Sequence, residues 1–535
     1  MNRKKFPQKT FLETALRGLL LAAILILAGY LRFYNLSTNP GWYGDEGTLV
    51  EIAGNLLEGR IEYYSLGRST LLAARLPLFP VLLAGVMRLF GKGITTLRYF
   101  TAGLAVSSVF FLYWTVRHML GKEGQWMAFT AALLLAIYPG AVFYSRIGFS
   151  YNLLPLIVIG VMGLFWEYLE TENKSYLLIS GLLLGIGTVS EVVMFAFLPV
   201  LFLVGAVKNW KWAFQAVLTA MVPLGIYAGL NLLLIPDVFL YDVQYTFFRL
   251  GELPLIIQYP FAVYNLTKLI SSDVWWAFAV IGLFMIKNKK LRHLSFLMFI
   301  IPLFLLARTA YLPELSFYYL IPLFPVVALG AAGLLTRGTP VVIEMIQRGV
   351  ESLIHLIGLH KKQNIFIKTL RKWAVPLTVS LIGFPVLFGP FLIPAVEGVI
   401  SVRSGLNSSL EPILVDPETA LEAVNFVNQR TTADDLVITS PAIGWALDAR
   451  VVGFQLAMAY RGEATKHFPD DLPRERFVHP ADYQQASFAL VDPMWKNWGV
   501  PNLEGLQPIT DQVGSWELVL DNDQIQVYQN PDRGE

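Results

Sequence analysis

Long apolar runs separated by short polar or basic connections fill this chain from residue 16 to about residue 395, and the pattern changes after residue 400. A hydrocarbon layer about 30 Å thick is crossed by a helix of about 20 apolar residues. Runs of suitable length lie at 16–36, 98–117, 126–144, 151–167, 176–191, 193–207, 213–235, 274–287, 294–309, 317–336 and 373–395. They predict a polytopic α-helical membrane protein with about eleven transmembrane helices.

The side of each connection follows from its charge. Residues 16–36 follow Arg3, Lys4, Lys5 and Lys9, and no small-x-small cleavage site precedes Tyr30–Tyr34. The expectation is an uncleaved anchor with a cytoplasmic N-terminus. Pro77–Phe90 is apolar but short and contains Pro77, Pro80 and Arg88, which suits an interfacial or re-entrant helix. With that segment kept on the outer face, Arg117/Lys122, Lys174, Lys208/Lys211, the 287–292 cluster and the basic 337–372 loop all fall on the cytoplasmic side. Residues 37–97, the 236–272 loop and everything past 400 then lie outside. Within the 337–372 loop, Glu344, Gln347, Arg348, Glu351, Ser352 and His355 recur at helical spacing, as expected of a helix on the inner leaflet.

Two domains are expected: 1–399 in the membrane and 400–535 as a small extracytoplasmic α/β domain. In the latter, Asp416 and Pro417 read as N-cap and first helical residue, with Leu421, Val424 and Val427 as a buried stripe. Leu436–Thr439 and Ser487–Val491 read as buried strands. Trp516–Leu520 and Gln524–Tyr528 flank Asp521-Asn522-Asp523 as a hairpin. No GxGxxG or GxxxxGK[ST] motif supports nucleotide binding there.

Composition narrows the chemistry. Hydrophobic residues make up 55% of the 535-residue chain and charged residues 15%, with a mean hydropathy of +0.54, so the bilayer is the main solvent. A net charge of +2 gives no global support for a nucleic-acid partner. With 0 Cys there is no disulfide, thiolate metal site or Cys nucleophile, and the 6 His are scattered.

The chemistry-bearing constellation is Trp42-Tyr43-Gly44-Asp45-Glu46. Leu49, Ile52, Ala53, Leu56 and Leu57 follow helical spacing, so 46–58 should form an amphipathic helix on the outer surface with Asp45 at its start. One reading makes Asp45 a cap and Glu46 a dipole complement. The other is a reactive carboxylate pair, facing the outer-face cations Arg60, Arg68, Arg75, Arg98 and Arg146, which need either ion-pair partners or a phosphate. Glu191, in Thr188-Val189-Ser190-Glu191-Val192, is an ionisable residue near a membrane boundary. Tyr318 and Tyr319 fall on the same outer face, where interface-belt residues also occur. The sequence assigns no particular cofactor; Asp45 and Glu46 together can hold a divalent cation through oxygen ligands, and no metal site is assigned.

Arg32-Phe33 at the end of the first span, Asp45-Glu46 in the first outer loop, Arg75-Leu76-Pro77-Leu78, Arg98, Phe143-Tyr144-Ser145-Arg146 and Phe317-Tyr318-Tyr319-Leu320 with Pro322 and Pro325 together resemble the GT-C glycosyltransferases. The likeness is to the dolichyl-phosphate-mannose protein mannosyltransferase and lipid A aminoarabinose transferase group, over roughly residues 15–335. Trp275-Trp276 resembles the tryptophan pair of oligosaccharyltransferase catalytic subunits but lacks the following Asp, and is read as chance.

The resemblance implies an inverting hexosyl or pentosyl transferase using a polyprenyl-phosphate sugar donor and a lipid, glycan or protein acceptor outside a prokaryotic cytoplasmic membrane. It implies Asp45 as general base and Glu46 as its support. Arg75, Arg98 and Arg146 are candidates for the donor phosphate, with Glu191, Tyr318 and Tyr319 at the substrate. Arg75 stands where relatives often carry Lys before Pro-Pro-Leu, and Leu76 replaces the first of those prolines. A transporter or flippase of lipid-linked sugars, or a scaffold with a partner-binding tail, are the other readings.

Overall fold

The structure, a computed structural model, describes residues 8–67, 76–251, 255–308, 317–356, 373, 376, 378–404, 411–469 and 472–533. Arg68, Arg75 and the basic residues Lys361, Lys362, Lys368, Arg371 and Lys372 lie outside them.

The chain is mostly helical, and seven described stretches are long and apolar enough to cross a membrane: Glu13–Phe33, Ile94–Ile137, Ser150–Thr171, Trp210–Leu234, Lys289–Ala307, Tyr318–Leu353 and Leu387–Ser404. An eighth is the pair Ala262–Ser272 and Val274–Met285, bent by 98° at Asp273. The expected runs 176–191 and 193–207 form apolar but shorter helices, Lys174–Ser190 and Val192–Ala206. Tyr318–Leu353 is central, with 83% of its apolar window buried, whereas Trp210–Leu234 has 6% and turns its apolar surface outward, where lipid would cover it. Close approach between helices uses small residues: a Cβ on Gly282 would meet the Gly330 carbonyl oxygen at 1.8 Å.

Three sequence expectations are corrected. The 126–144 run is not one helix, because Gln125–Ile137 ends at Tyr138 and a second helix starts with Pro139. Proline has no N–H to donate to the Leu135 carbonyl. Arg32 supplies the donors instead, to Leu135 O at 3.0 Å and Ala136 O at 2.8 Å. The break at Tyr138 is tied to the bend at Asp273, since Tyr138 donates to Asp273 and accepts from Trp276 Nε1 at 3.0 Å. Second, the 344–355 polar set does lie on an exposed helix, but that helix is the continuation of a span, Phe324–Leu356. Third, Leu421 is exposed; Ala420, Ala423, Val424 and Val427 form the buried face of Pro417–Asn428. Its N-cap is Asp416, which accepts from Glu418 N and Thr419 N, as expected.

The tail carries a five-stranded sheet in the order β4-β3-β5-β7-β6, where β3 is Leu436–Thr439, β4 Arg450–Gly453, β5 Phe488–Val491, β6 Glu517–Asp521 and β7 Gln526–Gln529. β3 runs parallel to β4 and β5, and β7 is antiparallel to β5 and β6. The two earlier strands, β1 Glu62–Tyr63 and β2 Leu66–Gly67, form a small hairpin in the first loop.

That loop and the tail share their cores. Trp42, Leu49, Val50, Ala53 and Phe79 pack in one cluster with Val415, Val437, Ala442 and Leu490, and Tyr63, Tyr64 and Leu66 in another with Phe468 and Trp495. Backbone bridges join Trp42 to Val415 and Leu66 to Phe477. A buried ion pair at 3.1 Å joins Arg476 to Asp242 of the Pro236–Gly251 helix.

Candidate active site

The Gly44–Leu57 helix is placed from both sides. Behind it, the tail presses on its first turn: a Cβ at Gly47 would lie 1.8 Å from Pro441 O, and one at Gly44 would lie 2.4 Å from Met494 Sδ. In front, the chain from the end of the first span to the helix start is held by two arginines. Arg98 donates to Leu36 O at 3.2 Å, Pro40 O at 2.6 Å and Gly41 O at 2.8 Å. Arg146 donates to Leu31 O at 3.0 Å, Arg32 O and Asn35 O at 3.4 Å and Asn39 O at 2.6 Å. Buried backbone carbonyls at a helix end and in the irregular segment after it must find donors, and these guanidinium groups are the donors.

Glu46 completes the clamp. Its carboxylate receives Arg98 Nε at 2.7 Å and Nη2 at 2.6 Å, the Gly148 N–H at 2.8 Å and the Tyr43 N–H at 3.0 Å. Arg98 and Glu46 are fully buried. All five N–H groups of Arg98 therefore end on protein acceptors, and both Glu46 oxygens are engaged. In this arrangement Arg98 has no donor left for a phosphate, and Asp45 with Glu46 does not form an open pair of oxygen ligands for a divalent cation.

Asp45 differs. The N-cap is Tyr43, so Asp45 is not the cap; it occupies the second position of the helix and remains partly accessible. Its carboxyl therefore sits in the first turn of the helix, at the end where the backbone N–H groups are unpaired by the helix itself.

An aromatic wall leads from this turn. Tyr43 meets Phe149 edge-on at 5.5 Å between ring centroids, Phe149 stacks on Tyr318 at 5.2 Å, and Tyr151 contacts Tyr318 and Tyr319 at 5.4 and 5.6 Å. Glu191, buried at the extended break after Lys174–Ser190, receives the Ser150 hydroxyl. Asp45 and Glu191 both lie near enough for their charges to act on the Tyr319 hydroxyl. The structure thus gathers Asp45, Glu191, Tyr318 and Tyr319, sets Glu46 and Arg98 behind them as a brace, and places Arg146 under the loop.

Phe149, Ser150 and Tyr151 were not foreseen from sequence. The signal available was their position directly after Arg146, in a loop that Asn152 closes by donating to Tyr144 O, Ile147 O and Phe149 O. Among the described residues, no group of three or more His, Asp or Glu converges to hold a metal ion.

A segment of the sequence and the fold as a whole resemble known proteins. Residues 74–228 match the family model described as dolichyl-phosphate-mannose-protein mannosyltransferase; Arg98, Arg146 and Glu191 fall inside that segment and Asp45 precedes it. No curated protein sequence matches the chain. The fold is similar to that of ArnT from Cupriavidus metallidurans bound to undecaprenyl phosphate, with a TM-score of 0.63 and 15% identity over 97% of this chain and 98% of that one. It is also similar to the archaeal oligosaccharyltransferase AglB from Archaeoglobus fulgidus in complex with an inhibitory peptide and a dolichol-phosphate, with a TM-score of 0.52 and 13% identity over 94% of this chain and 72% of that one. The segment match and the fold both resemble the GT-C glycosyltransferases.

Proposed function

We propose that this protein transfers a sugar, with inversion, from a polyprenyl-phosphate donor to a lipid, glycan or protein hydroxyl outside a cytoplasmic membrane, with Asp45 as general base. The supporting observation is the asymmetry of the acidic pair: Glu46 is buried and neutralised by Arg98, while Asp45 remains partly accessible and, like Glu191, lies near enough for its charge to act on the Tyr319 hydroxyl. A carboxylate there removes the acceptor proton as the oxygen attacks the anomeric carbon, and the lipid phosphate departs from the opposite face.

In this reading Glu46, Arg98 and Arg146 are positioning residues. Arg75 keeps the role of phosphate partner, because a departing phosphate needs a cation near the membrane surface. Glu191, Tyr318 and Tyr319 line the sugar. The crossings number eleven when Ile94–Leu120 and Gln125–Ile137, which lie side by side, count separately, the bent pair counts once, and the two shorter apolar helices each count. That number agrees with an N-terminus inside and both the first loop and the 400–535 domain outside.

The test is mass spectrometry of envelope lipids and glycans from cells with the protein, without it, and with Asp45→Asn. A sugar present only with the native protein, and lost in the variant at normal expression, is the expected result. Transfer at the native rate by Asp45→Asn would refute the assignment. Movement of a lipid-linked sugar across liposomes without covalent transfer would favour the flippase instead.

A further inference from the structure

We propose that a cleft beside the first loop binds a zwitterionic aminophospholipid, with its phosphodiester on Arg146 and its ammonium on Glu397. The cleft, about 360 Å³, opens between the Pro139–Arg146 and Phe384–Ser404 helices and is walled by Val142, Phe143, Tyr144 and Pro394, with Arg146 and Glu397 contributing the charges. Asp45, Glu191, Tyr318 and Tyr319 do not line it. The cleft is therefore distinct from the Asp45 site, although Arg146 also holds the loop that leads to it.

Two observations point to a ligand with both charges. Glu397 lies inside the apolar stretch Leu387–Ser404, is exposed there, and has no hydrogen bond or ion pair among the described residues. A carboxylate at membrane depth is costly and takes a cation or donor from its surroundings. Arg146 satisfies its two terminal nitrogens on carbonyls of the first helix's last turn, Leu31 and Arg32, and of the loop, Asn35 and Asn39, but its Nε–H has no acceptor among the described residues. One charge-assisted donor remains for an anion.

Charge complementarity selects the occupant. A lipid bearing only phosphate gains Arg146 but is repelled by Glu397; a lipid bearing phosphate and a primary ammonium satisfies both. The apolar walls suit the start of its acyl chains, and Glu397, seven residues before the helix end at Ser404, is about 10 Å from that end at 1.5 Å per residue. That is within reach of a headgroup.

The experiment uses the full-length protein, delipidated in detergent, and native mass spectrometry with phosphatidylethanolamine, phosphatidylcholine, phosphatidylglycerol and a polyprenyl phosphate in turn. Phosphatidylethanolamine should be retained about tenfold over phosphatidylglycerol, the scale of one charge-assisted hydrogen bond, and also over phosphatidylcholine, whose ammonium has no N–H. Glu397→Gln should bring the first ratio near parity, and Glu397→Lys should reverse it. Because Glu397 is exposed, both variants should fold; unchanged thermal unfolding checks this. Equal retention of the two lipids by the native protein, the native preference in Glu397→Gln, or displacement of phosphatidylethanolamine by stoichiometric polyprenyl phosphate would each overturn the proposal.

Discussion

Arg98 and Glu46 face each other edge to edge, Nε and Nη2 of the guanidinium on the two carboxylate oxygens at 2.7 and 2.6 Å, with neither side chain exposed. Fifty-two residues of sequence separate them, and between them they fix the approach of the first loop to its helix. The neighbouring carboxylate of Asp45 is left outside this pair. Two adjacent acidic residues thus acquire opposite characters, one a buried brace and the other a partly accessible carboxyl.

Glu46→Gln should destabilise the protein far more than Asp45→Asn. Removing one charge of a buried pair strands the other and costs about 3–5 kcal/mol. Neutralising a partly exposed carboxylate in the first turn of a helix costs about 0.3–1 kcal/mol. Thermal unfolding in detergent, followed by tryptophan fluorescence, measures both. Asp45→Asn should unfold near the native temperature and be inactive, whereas Glu46→Gln should unfold well below it. The opposite ranking would mean that the roles of the two carboxylates are exchanged.

Gly47→Ala and Gly54→Ala, seven residues apart on one helix, should have opposite effects. At Gly47 the added methyl meets backbone of the tail, Pro441 O at 1.8 Å and Pro441 C at 2.8 Å, so the two units must separate, at the upper end of the roughly 1–3 kcal/mol of an overpacked core or beyond. At Gly54 the nearest atoms are the far end of Lys92, Cε at 2.7 Å, which can swing away. There the gain in helix propensity, about 0.5–1 kcal/mol, should hold stability level or raise it. Limited proteolysis gives the readout: Gly47→Ala should expose the tail to cleavage, and Gly54→Ala should not. Equal protection in both variants would contradict the close docking.

Much of this was legible in the sequence where a residue's own pattern decides its state. Leu436–Thr439 and Phe488–Val491 are apolar on both faces and are buried on both. Asp416-Pro417 is a start signal, and it starts a helix. The charged residues were legible as important but not in their partners. Nothing local tells that Arg98 reaches back to Leu36, Pro40 and Gly41, or that Arg32 serves the carbonyls orphaned by Pro139, because those contacts depend on which helices come together. Arg450–Gly453 was missed as a strand because it is short and opens with an exposed arginine. Leu421 was misplaced because a helix with two small buried residues, Ala420 and Ala423, turns its face slightly away from the larger leucine.

Asp492 should make the tail more stable in mild acid than at neutrality. Its carboxyl is buried and accepts from the Ser440 hydroxyl and, at 2.8 Å, from Trp495 N–H. Burial, only partly offset by those bonds, pushes its pKa up to about 6, against about 3.9 in an unfolded chain. In that interval the folded protein holds a proton that the unfolded chain has lost, so protonation favours folding. This contribution is fully present below about 3.9, declines as pH rises to about 6 and is absent above it. A shift of about two units corresponds to roughly 3 kcal/mol. His479 acts in the opposite sense: burial lowers its pKa, so acid costs stability there, but it is common to native protein and variant and cancels in their difference. Asp492→Asn retains an acceptor for Trp495 N–H and cannot ionise. Its stability relative to the native protein should therefore be near parity at about pH 4 and greater by up to about 3 kcal/mol at about pH 7. Denaturant unfolding of full-length protein and variant across that range, with tail peptides followed by hydrogen exchange, reads the difference. A constant difference would show that the buried carboxyl does not titrate in this window.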